Sequence, residues 1–289
     1  MIGPIGCVTI AVPDLDRSIE SYERYLGYRC TRRSRLSAEQ ADYLEAPALG
    51  GAACGLLQPE RGSGFSFRFI EQALPTGYRA LTTWGWNAAE LIVRDVDGLA
   101  ERLAGSPFRI AGPPEDLSFS SAIRAMQVIG PAEEVLYLTM VKEPLPGFDL
   151  PAPVCEVGRA FIVIVGGPDM ARMQRYYHRQ HGVPEAPVME ARVSVLSKAL
   201  GLPPEQQHPI AAMPLAGQSL IEVDAYPTNT TERPRVEGGL PPAMAVVSFV
   251  ADRLPDRPGG RRFTGEPYRG RPCVLDHGAA GELVELIGP

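Results

Sequence analysis

From Cys7 to Val12 the chain alternates, with Val8, Ile10 and Val12 apolar on one face and Cys7, Thr9 and Ala11 small on the other. A period of two predicts a half-buried strand. Pro13 and Asp14 end it, and Asp14 is placed to cap a helix whose apolar face is Leu15, Ile19, Tyr22 and Leu26. Gly27 then supplies a left-handed exit. Further on, Phe65, Phe67 and Phe69 alternate with Ser66 and Arg68 in a second clear strand.

The same strand-and-helix pattern returns three times. Around Trp84 to Asp97, Ala89, Leu91 and Val93 take the places of Val8, Ile10 and Val12, and Asp95 stands where Asp14 stood. A short helix over 96–103 and two strands, 122–129 and 135–141, complete that unit. The third unit opens at Ala160 to Val165. Asp14, Tyr22 and Gly27 map without a gap onto Asp169, Tyr177 and Gly182, which marks an internal repeat. Residues 190–200 read as an additional amphipathic helix with Val193, Leu196 and Leu200 on one face, and 219–224 as a strand. The fourth unit starts at Met244 to Val250, carries a reduced helix broken by Pro255 and Pro258, and ends in strands at 273–275 and 282–287. Between the second and third units, Pro144, Pro146, Pro151 and Pro153 predict a linker.

A strand, helix and three-strand unit cannot bury its sheet face alone, so the units must pair. The expected fold class is α+β, four βαβββ modules paired into two domains with curled mixed sheets around a cleft. Taken in chain order, modules one and two form a domain over 1–143, 144–154 is the linker, and modules three and four form a domain over 155–289.

Composition narrows the function classes. The 289 residues are 45% hydrophobic and 21% charged, ordinary values for a globular protein. A net charge of -6 argues against nucleic acid as a partner. No apolar run approaches the roughly 20 residues of a membrane span, and the first residues lack a basic n-region. Five cysteines without CxxC spacing give neither a zinc knuckle nor a disulfide framework. A cytoplasmic monomer or homodimer with a small organic ligand is the expectation.

Val8 to Asp16 with Tyr22 and Leu26-Gly27, Trp86 to Asp97, and Gly281-Glu-Leu-Val-Glu-Leu286 resemble the vicinal oxygen chelate superfamily. That is the group of glyoxalase I, type I extradiol dioxygenases and the fosfomycin and bleomycin resistance proteins. The resemblance implies one divalent metal per active cleft, held by His or Gln from first strands and Glu from last strands, with open positions for an oxygen-rich substrate. This chain departs from the pattern. Cys7 and Ala88 stand at the first-strand positions of units one and two, while strand parity turns Arg68 and Tyr137 inward at the last-strand positions. Such a set does not suit a hard divalent cation. In the other half Ala160 or Phe161 and Ala245 replace the imidazoles, but Glu222 and Glu285 remain.

The resemblance and the substitutions together imply a metal-independent lyase or isomerase acting on an oxygenated compound, aromatic ones included. Arg68 would hold an anionic oxygen while Tyr137 and Glu90, which shares the parity of Ala88, serve as acid and base. A structural ion pair from Arg68 to Glu90 or Glu71 is the competing account. Cys7, Trp86, Glu222, Glu285 and His208 are candidate substrate contacts, although Cys7 also reads as a plain strand residue. No metal ligand set and no cofactor are expected, beyond weak divalent binding at Glu222 and Glu285. The rival readings are a non-catalytic binding or resistance protein and a metal-dependent dioxygenase or glyoxalase.

Overall fold

The structure, a computed structural model, describes residues 2–62, 64–118, 120–255 and 261–289. Unit one comprises β1 (Ile2–Val12), α1 (Leu15–Leu26), β2 (Arg29–Arg35), α2 (Ala38–Tyr43), β3 (Ala53–Gln58) and β4 (Ser66–Glu71). Unit two is β5 (Gly85–Val93), α3 (Val96–Leu103), β6 (Arg109–Leu117), β7 (Ser120–Ile129) and β8 (Val135–Val141). Unit three is β9 (Val157–Gly167), α4 (Met170–His181), β10 (Met189–Arg192), α5 (Ser194–Leu200), β11 (Gln207–Leu215) and β12 (Ser219–Ala225). Unit four keeps only strands among the described residues: β13 (Ala243–Ala251), β14 (Arg261–Thr264), β15 (Pro272–His277) and β16 (Leu283–Ile287).

Local signals act as expected. The Asp14 side chain accepts from the Arg17 N–H and Asp169 from the Arg172 N–H, while Gly27 and Gly182 close their helices at φ of 70° and 69°. The stretch expected as one helix over 190–200 differs. Its first part is β10, which pairs with β11, and only Ser194–Leu200 is helical. A free sheet edge at β11 takes those residues as a strand, so long-range pairing overrides their helical spacing. Pro255 lies outside any helix, and Pro258 falls outside the described residues.

The strands form two eight-stranded sheets, ordered β14-β15-β16-β13-β1-β4-β3-β2 and β10-β11-β12-β9-β5-β8-β7-β6. The first sheet therefore joins units one and four, and the second joins units two and three. This departs from the pairing in chain order that placed modules one and two in one domain and modules three and four in the other. The seams are antiparallel: β1 lies along β13 with Cys7 opposite Ser248, and β5 lies along β9 with Glu90 opposite Ile162. Nothing in the local pattern specifies which pair of first strands meets.

One core joins the sheets. Val8, Ile10, Phe67 and Phe69 of the first sheet belong to the same buried cluster as Leu91, Leu136, Leu138 and Val163 of the second. Polar ties cross it: the Tyr28 hydroxyl donates to the Gly158 carbonyl at 2.6 Å, and the Trp86 indole N–H donates to the Leu283 carbonyl at 2.8 Å. The opposite, concave face of each sheet encloses a cleft.

Candidate functional site

The two clefts differ in whether they are filled. In the first sheet, β4 brings Arg68 and β16 brings Glu285 into the cleft, where their charged groups stand 3.5 Å apart and are almost fully buried. Arg68 Nε also donates to Thr9 Oγ1 at 2.8 Å. Glu285 Oε2 accepts from the Ser248 hydroxyl at 2.5 Å and from the Tyr268 hydroxyl. Burial works against the guanidinium charge, yet Tyr268 and Glu285 beside it outweigh burial and push the Arg68 pKa up. Around this network Leu36, Tyr43, Leu44 and Leu49, from α2 and its flanks, pack with Cys273 and Leu275. The remaining space is a void of about 30 Å³. Cys7 is fully buried beneath it, and burial first, with Glu285 adding, raises its thiol pKa to about 11. A protonated thiol without access is not a nucleophile.

The second sheet encloses a cavity of about 820 Å³. That is the size of a site for a drug-sized molecule. Its floor carries Glu90 from β5 and Tyr137 from β8, direct neighbours in the parallel register of those strands, with Thr139 two residues on. From the other half, β12 adds Glu222, and Asp224 follows on the same strand face. Ile123, Phe161, Ile162, Ile210 and Leu220 make much of the wall. Burial, and then the nearby Glu222, raise the Glu90 pKa to about 8. Burial and mutual proximity push Glu222 up, and burial raises Asp224 as well. The Tyr137 phenol is likewise raised, by burial and then by Asp224 and Glu222. Burial thus raises every acid of this floor above its ordinary range.

The linker contributes to the same cavity. Leu145, Pro146, Phe148 and Leu150 line it, so the proline-rich connection is a wall rather than a tether. Phe148 and Met189 are 37% and 43% exposed and stand among the lining residues.

Several expected placements change. Tyr137 and Glu90 do come together, but Arg68 belongs to the other sheet and cannot act with them. Its partner is Glu285, not Glu90 or Glu71; Glu71 Oε1 instead accepts from the Leu15 N–H at 3.3 Å. Glu222 and Glu285 were expected in one half and lie in different clefts, so they cannot share an ion. Trp86 is buried and bonded to Leu283 in the core between the sheets, away from either cleft. His208 is buried on β11 and bonds Ser197 Oγ at 2.8 Å, and burial lowers its pKa. Asp224 and Thr139 were missed, although both share strand parity with residues already singled out.

Neither cleft carries the His-bearing ligand set that the resemblance implies. In the first, the guanidinium of Arg68 stands against Glu285, whose Oε2 is already held by two hydroxyls. In the second, no His or Cys lines the cavity. Among the described residues, no three or more His, Cys, Asp or Glu converge as an ion's ligands would.

With this architecture the chain has the fold of glyoxalase I and its structural neighbours. Glyoxalase I from Zea mays superposes with a TM-score of 0.63 at 17% identity, covering 98% of this chain and 92% of that one. A Bacillus subtilis protein assigned as a dioxygenase superposes with a TM-score of 0.63 at 11% identity, covering 98% of this chain and 84% of that one. No family model and no curated protein matches the sequence. At these identities the likeness is one of fold.

Proposed function

We propose that the protein binds a small, largely apolar organic molecule bearing an oxygen function in the cavity of the second sheet. Glu90, Tyr137 and Glu222 then move a proton on it, as in a lyase or isomerase that needs no metal. The observation that carries this reading is the adjacency of Glu90 and Tyr137 on the floor of an 820 Å³ cavity that Glu222 also enters. Glu90, with a pKa raised to about 8, holds its proton at neutral pH and is suited to donate it to a carbonyl or leaving oxygen. The Tyr137 hydroxyl is a second donor to that oxygen. Glu222, raised by burial and by the neighbouring Asp224, is the proton acceptor of the exchange. The apolar wall excludes water from the exchange.

The test is incubation of the protein in deuterated water with a panel of ketones, phenols and enols, read by NMR. Deuterium incorporation or turnover that is lost in Glu90→Gln with ligand binding retained, and lost also in Glu222→Gln, is the expected result. A ligand that binds in the cavity and emerges without exchange across the panel would replace this reading by sequestration. That second reading draws on the apolar residues Phe148 and Met189, left exposed beside the cavity.

A further inference from the structure

Buried carboxyl groups are normally matched by a cation or by several hydrogen-bond donors. Among the described residues other buried carboxyl groups have such partners, although Glu285 Oε1 is itself without one. Arg68 serves Glu285, and Glu134 and Glu282 each take a tyrosine hydroxyl and a backbone N–H. Glu90, Glu222 and Asp224 are the exception, for among the described residues no Arg, Lys or His forms a salt bridge with any of them. Polar atoms beside them are also unsatisfied: Asp224 Oδ1, Tyr226 Oη and Thr139 Oγ1 are buried and make no hydrogen bond of standard geometry, and Thr139 lines the cavity.

The other ionisable groups around the cavity do not fill the gap. Tyr137 and Tyr226 are phenols with pKa values raised first by burial. Glu115, Asp116, Arg192 and Lys198 also line the cavity, the first and the last two being exposed. Arg192 is engaged by Glu115 at 3.1 Å, and Asp116 by Arg124 and Lys142. Lys198 Nζ lies 3.5 Å from the Ala111 carbonyl.

We infer that the oxygen-bearing ligand of this cavity also carries an amine: an apolar body packed on Ile123, Phe161, Ile162 and Leu220, with a protonated nitrogen that meets Glu222, the lining carboxyl that Asp224 stands beside. Its N–H groups meet Thr139, which lines the cavity, and its charge permits Glu222 to ionise while Glu90 keeps its proton. An organic cation suits a large apolar chamber, whereas a bare metal ion would bring nothing to its walls. Where the carboxyl groups are protonated, seating the ammonium expels a proton, so affinity rises with pH until the amine itself deprotonates.

This inference rests on the cavity being the ligand site, and the experiment separates the two. Titration calorimetry on the full chain compares three probes of matched shape, 4-phenylbutylamine, 4-phenylbutan-1-ol and 4-phenylbutyrate, with magnesium ion alone as a fourth. The expected result at about pH 8 is an amine bound at least about tenfold more tightly than the alcohol, a preference that shrinks toward about pH 5.5. Butyrate should bind weakest, and magnesium should not displace the amine. In Glu222→Gln and Asp224→Asn the amine should lose its advantage while the alcohol keeps its affinity; if either variant fails to fold, the pH series on the native chain decides. Equal binding of amine and alcohol, preference for butyrate, or displacement of the amine by magnesium overturns the inference and leaves the cavity as a ligand site. Binding of none of the probes removes both.

Discussion

The hydroxyl of Tyr22 donates to Glu134 Oε1 at 2.9 Å across the core between the two sheets. Its counterpart in the repeat, Tyr177, donates to Glu282 Oε1 at 2.7 Å. In each case the second carboxyl oxygen accepts a backbone N–H at 2.8 Å, from Ala132 and Ala280 respectively. Each glutamate folds back over a glycine; a Cβ on Gly130 or Gly278 would stand within 1.9 Å of the carboxyl oxygen. Since units one and four share one sheet and units two and three the other, these twin bonds fasten the sheets together. Tyr22→Phe should leave Glu134 Oε1 without its donor and lower stability by about 1–3 kcal/mol, read by urea unfolding. Tyr177→Phe should cost a similar amount, and the double variant should lose close to the sum.

Stability should fall as pH rises. Burial, the leading cause in each case, raises Glu90 to about 8 and Glu134 and Glu282 to about 7. Each group holds its proton more tightly folded than unfolded, so the folded state binds more protons through the interval. The contribution is complete below about pH 4.5 and disappears as pH climbs through about 7 to 8. Raising a carboxyl from 4.5 to about 7 corresponds to about 3 kcal/mol at most for each of Glu134 and Glu282. Urea midpoints at about pH 5 and about pH 9 measure it, and a higher midpoint at the alkaline value would contradict it.

Arg68→Ala should be a stability variant rather than an activity variant. It leaves Glu285 buried without its cation, a loss of about 3–5 kcal/mol. Arg68→Met with Glu285→Gln should recover part of that, because no lone charge remains buried. Both proteins, once folded, should bind ligand in the second-sheet cavity as the native chain does. Loss of ligand affinity with normal stability would return Arg68 to the site.

The linker should affect binding more than folding. Phe148 is already 37% exposed, so Phe148→Ser should change the unfolding midpoint little. Removing an aromatic face from the cavity wall should weaken an apolar ligand by about 1 kcal/mol, roughly fivefold. Calorimetry with 4-phenylbutan-1-ol checks this, and unchanged affinity would place the ligand away from the linker.

Much of the architecture was legible from short-range rules. Alternation with period two told which side chains of β1, β4, β5 and β8 turn toward the helices and which toward a cleft, and Arg68, Glu90 and Tyr137 do face clefts. The repeat of Asp14, Tyr22 and Gly27 in Asp169, Tyr177 and Gly182 showed the duplication. The buried acids Glu134 and Glu282 were not singled out, because each sits in a turn whose partner is over a hundred residues away.

By itself, then, the sequence determined the four units, the class of fold and the face on which each side chain stands, since these depend on neighbours a few residues apart along a strand or helix. The tertiary structure alone decided that β1 joins β13 and β5 joins β9, which parts Arg68 from Tyr137 and unites Glu90 with Glu222. Every first strand presents much the same small, apolar edge, so the choice of partner comes from how the whole chain closes its core. That choice fills one cleft with an internal ion pair and leaves the other open over unmatched acids.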